Sequence, residues 1–281
     1  MDPIAVVSGF GIGAIVGMTG VGGGSLMTPL LISVFKLQPA FAIGTDLWFA
    51  GITKTSGAFA HHRHGQVDWR IASLLLAGSL PASLATIALM HATGVNAGWS
   101  KAITTTLGVA LFATAVTVAY RRAWNALGLR LERHMPAQIK PALTALCGTL
   151  LGVLVSLSSI GAGAIGATLI LLLYPRLDAR RIVGTDIAHA VPLTLVAGIG
   201  HATLGHVDWA LLAMLLVGSL PGIWVGAHLT RRLPEGSTST SATLLPSAAR
   251  SSGSAPARRA RSRRDSSSTP RRPRTIGRSR S

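Results

Sequence analysis

Seven stretches of this chain are long and apolar enough to fill a bilayer, with few charges inside them. They run over 4–35, 41–60, 71–91, 99–120, 141–174, 182–201 and 209–229, where one crossing needs about 20 apolar residues. Hydrocarbon offers no partner to a free amide, so such stretches must be helical. The first and fifth are too long for a single crossing, and glycines interrupt both: Gly20, Gly22, Gly23 and Gly24 in one, Gly161 and Gly163 in the other. Each reads as two short helices or a re-entrant hairpin, because irregular backbone survives at membrane depth only inside protein. Charged residues are 12% of the 281 positions, against about a quarter in a soluble domain. The expected class is therefore an all-α polytopic membrane protein, and a soluble enzyme is excluded. The single cysteine, Cys147, leaves no disulfide framework or multi-cysteine metal site.

The formal charge of +17 is unevenly placed. Residues 235–281 hold 11 arginines against Glu235 and Asp265, so over half of the excess sits in the tail and no nucleic-acid partner is implied for the body. Only nine of those 47 residues are hydrophobic, and Ser, Pro and Arg dominate, a composition expected to be disordered. Met1-Asp2-Pro3 lacks the basic start of a cleavable signal peptide, so the first stretch is expected to stay in the membrane body.

The chain also repeats itself. At an ungapped offset of 140 residues, Gly44-Thr45-Asp46 returns as Gly184-Thr185-Asp186 and His61 as His201. Gly65, Val67, Asp68 and Trp69 return as Gly205, Val207, Asp208 and Trp209, and Gly78-Ser79-Leu80-Pro81 as Gly218-Ser219-Leu220-Pro221. With a one-residue slip, Val21-Gly22-Gly23-Gly24-Ser25 aligns with Ile160-Gly161-Ala162-Gly163-Ala164. A duplication explains these blocks. It divides the chain into a first transmembrane repeat over 1–120, a basic linker over 121–140, a second repeat over 141–234 and the tail over 235–281. Arg121, Arg122, Arg130, Arg133 and Lys140 place the linker in the cytoplasm. Equivalent loops differ in basic content: Arg63 and Arg70 have no counterparts between His201 and Trp209, whereas Arg176, Arg180 and Arg181 face a lone Lys36. An inverted second copy, as in many secondary transporters, accommodates this bias; a parallel repeat of four crossings each is the alternative.

With Gly17-Met18-Thr19-Gly20-Val21-Gly22-Gly23-Gly24-Ser25 and Pro29, Gly44-Thr45-Asp46, and the run from His61 through Trp69 to Gly78-Ser79-Leu80-Pro81, the sequence resembles the sulfite exporter TauE/SafE family of membrane permeases over roughly residues 4–233. The resemblance implies a multi-pass inner-membrane permease for small anions, with sulfite and organosulfonates among the cargoes, and no cofactor. One departure stands out. The second copy's counterpart of 99–120 should fall near 239–259, where the sequence cannot span a bilayer. Either the tail is a basic arm for anionic headgroups, or it reflects a frameshift, which the missing helix favours.

Candidate transport residues follow from cost and symmetry. A helix restarting after Gly22, Gly23, Gly24 and Ser25 presents free N–H groups and a positive dipole end to an anion, and Ser158, Ser159, Gly161 and Gly163 form the matching break; close helix packing is the other reading. Thr45-Asp46 and Thr185-Asp186 lie near predicted helix starts, where they serve as caps or, if buried, take up a coupling proton. Lys54, whose counterpart is Thr194, offers positive charge to an anion, or snorkels, or pairs with Asp46. His61, His62 and His64 look like a metal cluster but lack helical ligand spacing, and a cation permease built on them is the competing function. Asp68-Trp69 and Asp208-Trp209 read as capped helix starts with an interfacial anchor, Pro81 and Pro221 as kinks. No phosphate loop for an ATPase exists in the chain, so transport is expected to be driven by an ion gradient.

Overall fold

The computed structural model describes residues 3–19, 24–94 and 97–232. The tail, the position of the missing helix, and Gly22 and Gly23 lie outside the described residues. All described elements are helices: α1 (Pro3–Thr19), α2 (Gly24–Ser33), α3 (Pro39–Arg63), α4 (Trp69–Thr93), α5 (Ala97–Ala119), α6 (Arg121–His134), α7 (Lys140–Ser158), α8 (Ala164–Leu173), α9 (Ala179–Thr203) and α10 (Trp209–Arg232). Five of them, α4, α5, α7, α9 and α10, are long and apolar enough to cross a membrane. Their outward faces remain apolar, with Leu84, Phe112, Leu146, Ile199 and Trp224 all exposed, as a surface meeting lipid rather than water requires. The chain is a multi-pass helical membrane protein.

The two over-long stretches divide as their glycines suggested. The fifth breaks between Ser158 and Ala164 into α7 and the ten-residue α8, and the first into α1 and the ten-residue α2. At about 1.5 Å per residue a ten-residue helix reaches only about 15 Å, half the hydrocarbon core. Among the described residues there are therefore two such half-length helices, one in each half. Within α4 and α10 the prolines expected to kink them, Pro81 and Pro221, lie inside continuous helices.

Neither half is packed by itself. Helix α1 of the first half lies along α10 of the second, and α7 of the second lies along α4 of the first. Glycine makes both contacts possible. Gly9 and Gly13 of α1 sit directly on the backbone of Leu215 and Ser219, and Gly148 and Gly152 of α7 sit on the backbone of Leu75 and Ser79. Each pair is spaced by four residues, the small-xxx-small pattern that lets membrane helices approach closely. The partners correspond at the 140-residue offset, Leu75 to Leu215 and Ser79 to Ser219. Gly78 reciprocates against Ala145, and Gly218 against Val6.

Between these outer pairs, α3 and α9 pack against each other at the centre. Ile43 and Leu47 of α3 share a core with Ala190, Leu193 and Ala197 of α9, while Met27, Leu31 and Phe49 pack with Leu211 and Leu215 of α10. The Trp48 indole donates to the Gly198 carbonyl at 3.0 Å. The linker, read from sequence only as a basic connection, forms α6. It packs on α8 through Gly128, which lies against Leu171 and Pro175, and Glu132 fastens it by ion pairs to Lys140 at 3.3 Å and Arg176 at 2.9 Å.

Candidate functional site

The Gly-Thr-Asp blocks do not cap their own helices. Thr45 and Thr185 lie in the second turn of α3 and α9, beyond the first turn where free N–H groups occur. Each hydroxyl instead crosses to the other half. The Asp208 amide donates to Thr45 Oγ1 at 3.0 Å, and the Asp68 amide donates to Thr185 Oγ1 at 2.9 Å. The preceding glycines make room, since a Cβ on Gly44 would strike the His206 carbonyl and one on Gly184 the Gln66 carbonyl. Gly-Thr is thus a clasp closing each half on the loop before the other half's α4 or α10. Capping belongs to Asp68 and Asp208, whose carboxylates accept from the Ile71 and Leu211 amides at 3.3 and 3.0 Å. Trp69 and Trp209 beside them are exposed, as interfacial anchors should be.

The third residue of each block points elsewhere. Asp46 and Asp186 are buried, and each turns onto the half-length helix of its own half. Asp46 Oδ2 accepts from the Thr28 hydroxyl of α2. Asp186 Oδ1 lies against Gly166, in the first turn of α8, where a Cβ would displace it. Oδ1 of both carboxyls has no hydrogen-bond partner in the protein. Lys54, 8% exposed, lies within electrostatic reach of both. It donates to neither carboxylate, however, and instead donates to the Ala162 carbonyl at 2.7 Å, within the break between α7 and α8. Its counterpart Thr194 bonds back to its own helix at Ala190 and Val191. Lys54 is therefore a buried charge that the symmetry between α3 and α9 does not repeat.

The break itself is shaped by its backbone. Ser159 is left-handed at φ 57°, and Gly161 and Gly163 sit at φ 130° and 145°, a region that costs any residue with a Cβ. The Gly161 carbonyl is taken by the Gly166 amide at 2.8 Å and the Gly163 carbonyl by the Ala167 amide at 2.9 Å. Ser158 bonds locally to Leu154 and Ile160. Ser159 faces Asp46, with its buried hydroxyl completing no hydrogen bond. The structure so gathers Asp46, Lys54, Ser159 and Asp186 around one break, with Gly161 and Gly163 forming it. Thr45 and Thr185 stand apart in the clasps. In the first half Gly24 opens α2, while the side chain of Ser25 lies outside the described residues.

One residue of this region escaped the sequence reading: Thr28 had no signal, being one hydroxyl in an apolar run. Nearby, His189 is fully buried, with Nε2 2.9 Å from Ser79 Oγ and Nδ1 unpartnered. The histidines at the end of α3 disperse. His61 Nδ1 meets Gln66 Oε1 at 2.7 Å, His62 stacks edge-on with Trp69, and His64 is exposed. Among the described residues no three His, Cys, Asp or Glu side chains gather as a metal site.

Comparison with known proteins agrees with this architecture. The chain is 40% identical to "Probable membrane transporter protein YjnA" of Bacillus subtilis over 235 residues, covering 83% of this chain and 91% of the relative. It is 28% identical to "Probable membrane transporter protein YdhB" of the same organism, over 80% of this chain and 89% of that one. A "Probable membrane transporter protein" of Xylella fastidiosa is 25% identical, covering 82% of this chain and 85% of its own. No solved structure matches. A family model described as "Sulfite exporter TauE/SafE" matches residues 5–245. A helical membrane chain with paired half-length helices, and with membrane transporters as its relatives, is a transporter and not an enzyme; it belongs to the sulfite exporter TauE/SafE family.

Proposed function

We propose that this transporter moves a small oxyanion, sulfite or an organosulfonate, outward across the cell membrane as a secondary carrier. The observation carrying this reading is Lys54: a buried ammonium at the break between α7 and α8, with no ion-pair hydrogen bond of its own. A charge kept at membrane depth is costly and usually serves transport. Here it stands beside the first turn of a half-length helix, whose N-terminal amides and dipole favour negative charge. Discontinuous helices meeting at a repeat interface are the usual setting of a transporter's substrate site, and the exchanged packing of α1 and α7 is what an inverted duplication would leave. The competing cation permease would need His61, His62 and His64 to converge, and they face different partners.

The test is efflux of labelled sulfite, and of a small sulfonate in parallel, from proteoliposomes of the full chain. Both anions should leave, and Lys54→Gln should cut the rate at least tenfold while Lys54→Arg restores part of it. Undiminished flux in Lys54→Gln would remove Lys54 from the site. Silence toward both anions from correctly inserted protein would sink the anion assignment.

A further inference from the structure

The place best suited to hold an anion is already held by carboxyl groups. Asp186 Oδ1 lies at the first turn of α8, where the helix dipole favours negative charge, and Asp46 is tied to α2 through Thr28. With Lys54 the cluster contains two acids and one base, so its ionised form is a net anion, and adding a substrate anion would deepen that charge in a medium that does not tolerate it. Each Asp also keeps one oxygen without a donor, and the Ser159 hydroxyl faces Asp46. The groups facing Asp46 are Thr28 from α2, Ser159 from the break and Lys54 from its own helix. Those facing Asp186 are Lys54 from α3 and the Gly166 backbone of α8, with His189 one turn further along α9. Within this set no second cation balances the charge.

We propose that Asp46 and Asp186 are proton-binding groups of the transport cycle, and that the substrate anion enters the cluster together with at least one proton taken up on a carboxylate. The proposal rests on the anion-carrier reading above. The bookkeeping is simple: a proton from the aqueous side forms an O–H on one carboxylate, the cluster passes from −1 to neutral, and the arriving anion restores −1 instead of reaching −2. Release of anion and proton on the far side returns both carboxylates. Protonation also supplies the missing partner, because a carboxylic O–H donates where a carboxylate only accepts. The Ser159 hydroxyl and the anion's own oxygens are available acceptors.

A permanently ionised sulfonate, methanesulfonate, separates carried protons from any bound to the substrate. Added outside proteoliposomes of the full chain containing a trapped pH indicator, it should acidify the lumen in proportion to its uptake. Asp46→Asn and Asp186→Asn should each move at least tenfold fewer protons per sulfonate. On purified protein, infrared difference spectra should show methanesulfonate converting a carboxylate band into a carboxylic acid band, and Asp186→Asn should diminish that conversion. Sulfonate uptake with no acidification and no such band would overturn the proton role and leave the carrier reading intact, as would uptake that follows a sodium gradient and ignores pH. If neither sulfite nor methanesulfonate moves and the spectrum stays unchanged, both readings fall.

Discussion

Thr45 and Thr185 show how one hydroxyl can join two halves of a molecule. Each accepts a main-chain amide from a loop more than 100 residues away. Replacing either by Val keeps the shape but leaves that amide without a partner, a loss of about 1–3 kcal/mol. Thr45→Val and Thr185→Val should therefore each lower the thermal midpoint of the detergent-solubilised protein, while Thr→Ser at either position should recover most of it; equal midpoints for Val and Ser would show that the clasp contributes nothing. The blocks themselves were plain in the sequence, because acids in apolar runs are rare and repetition is easy to see. Their division of labour was not. Capping is a local pattern, whereas a hydroxyl that meets the opposite half depends on a contact that no spacing along the chain encodes. Lys54 was legible for the opposite reason: its mismatch with Thr194 is a fact of alignment. That it would donate to Ala162 was not.

At the scale of elements, glycines decide where helices break and where they touch. Gly163 has open space around its Cα yet a φ of 145°, so Gly163→Ala tests backbone strain alone. It should cost about 1–3 kcal/mol and slow transport by disturbing the break, measured as efflux rate against thermal midpoint; full activity at an unchanged midpoint would show that this geometry is dispensable. Helix α1 offers a matched comparison. A Cβ on Gly9 would run into the Leu215 carbonyl, whereas Gly11, one helical face away, meets nothing within 4 Å. Gly9→Leu should prevent α1 from seating on α10 and lower the yield of monodisperse protein sharply, and Gly11→Leu should leave it near the parent level. The helices and their interruptions were legible from hydropathy and glycine. The exchange of α1 and α7 was not, since a small-xxx-small face marks a contact without naming its partner.

For the whole molecule, α6 links the halves in sequence and is fastened to the second of them through Glu132. Loss of water pushes its carboxyl up, but hydrogen bonds from Lys140 and Arg176, helped by their charges, hold it below the usual carboxylate range. A depressed acid contributes stability that is present above its unfolded value and is lost as pH falls through its folded value. Limited proteolysis of the α6 region should therefore accelerate below the ordinary carboxylate range, and Glu132→Gln should show the faster rate already at neutral pH with little further change on acidification. A parent rate flat with pH would remove Glu132 as the fastening.

The pairing of α1 with α10 has a consequence for how the molecule is made. Helix α1 leaves the ribosome before the other described helices, yet the surface its glycines are cut to fit belongs to the last of them. At roughly 5–20 residues per second, the first helix waits on the order of ten seconds or more for its mate. During that interval the nascent chain presents an unfilled glycine face within the bilayer, a seat that another chain's α10 or an insertion chaperone is able to occupy. The pairing of α1 with α10 is then a late step of assembly, and any interruption of synthesis before α10 leaves α1 without a home.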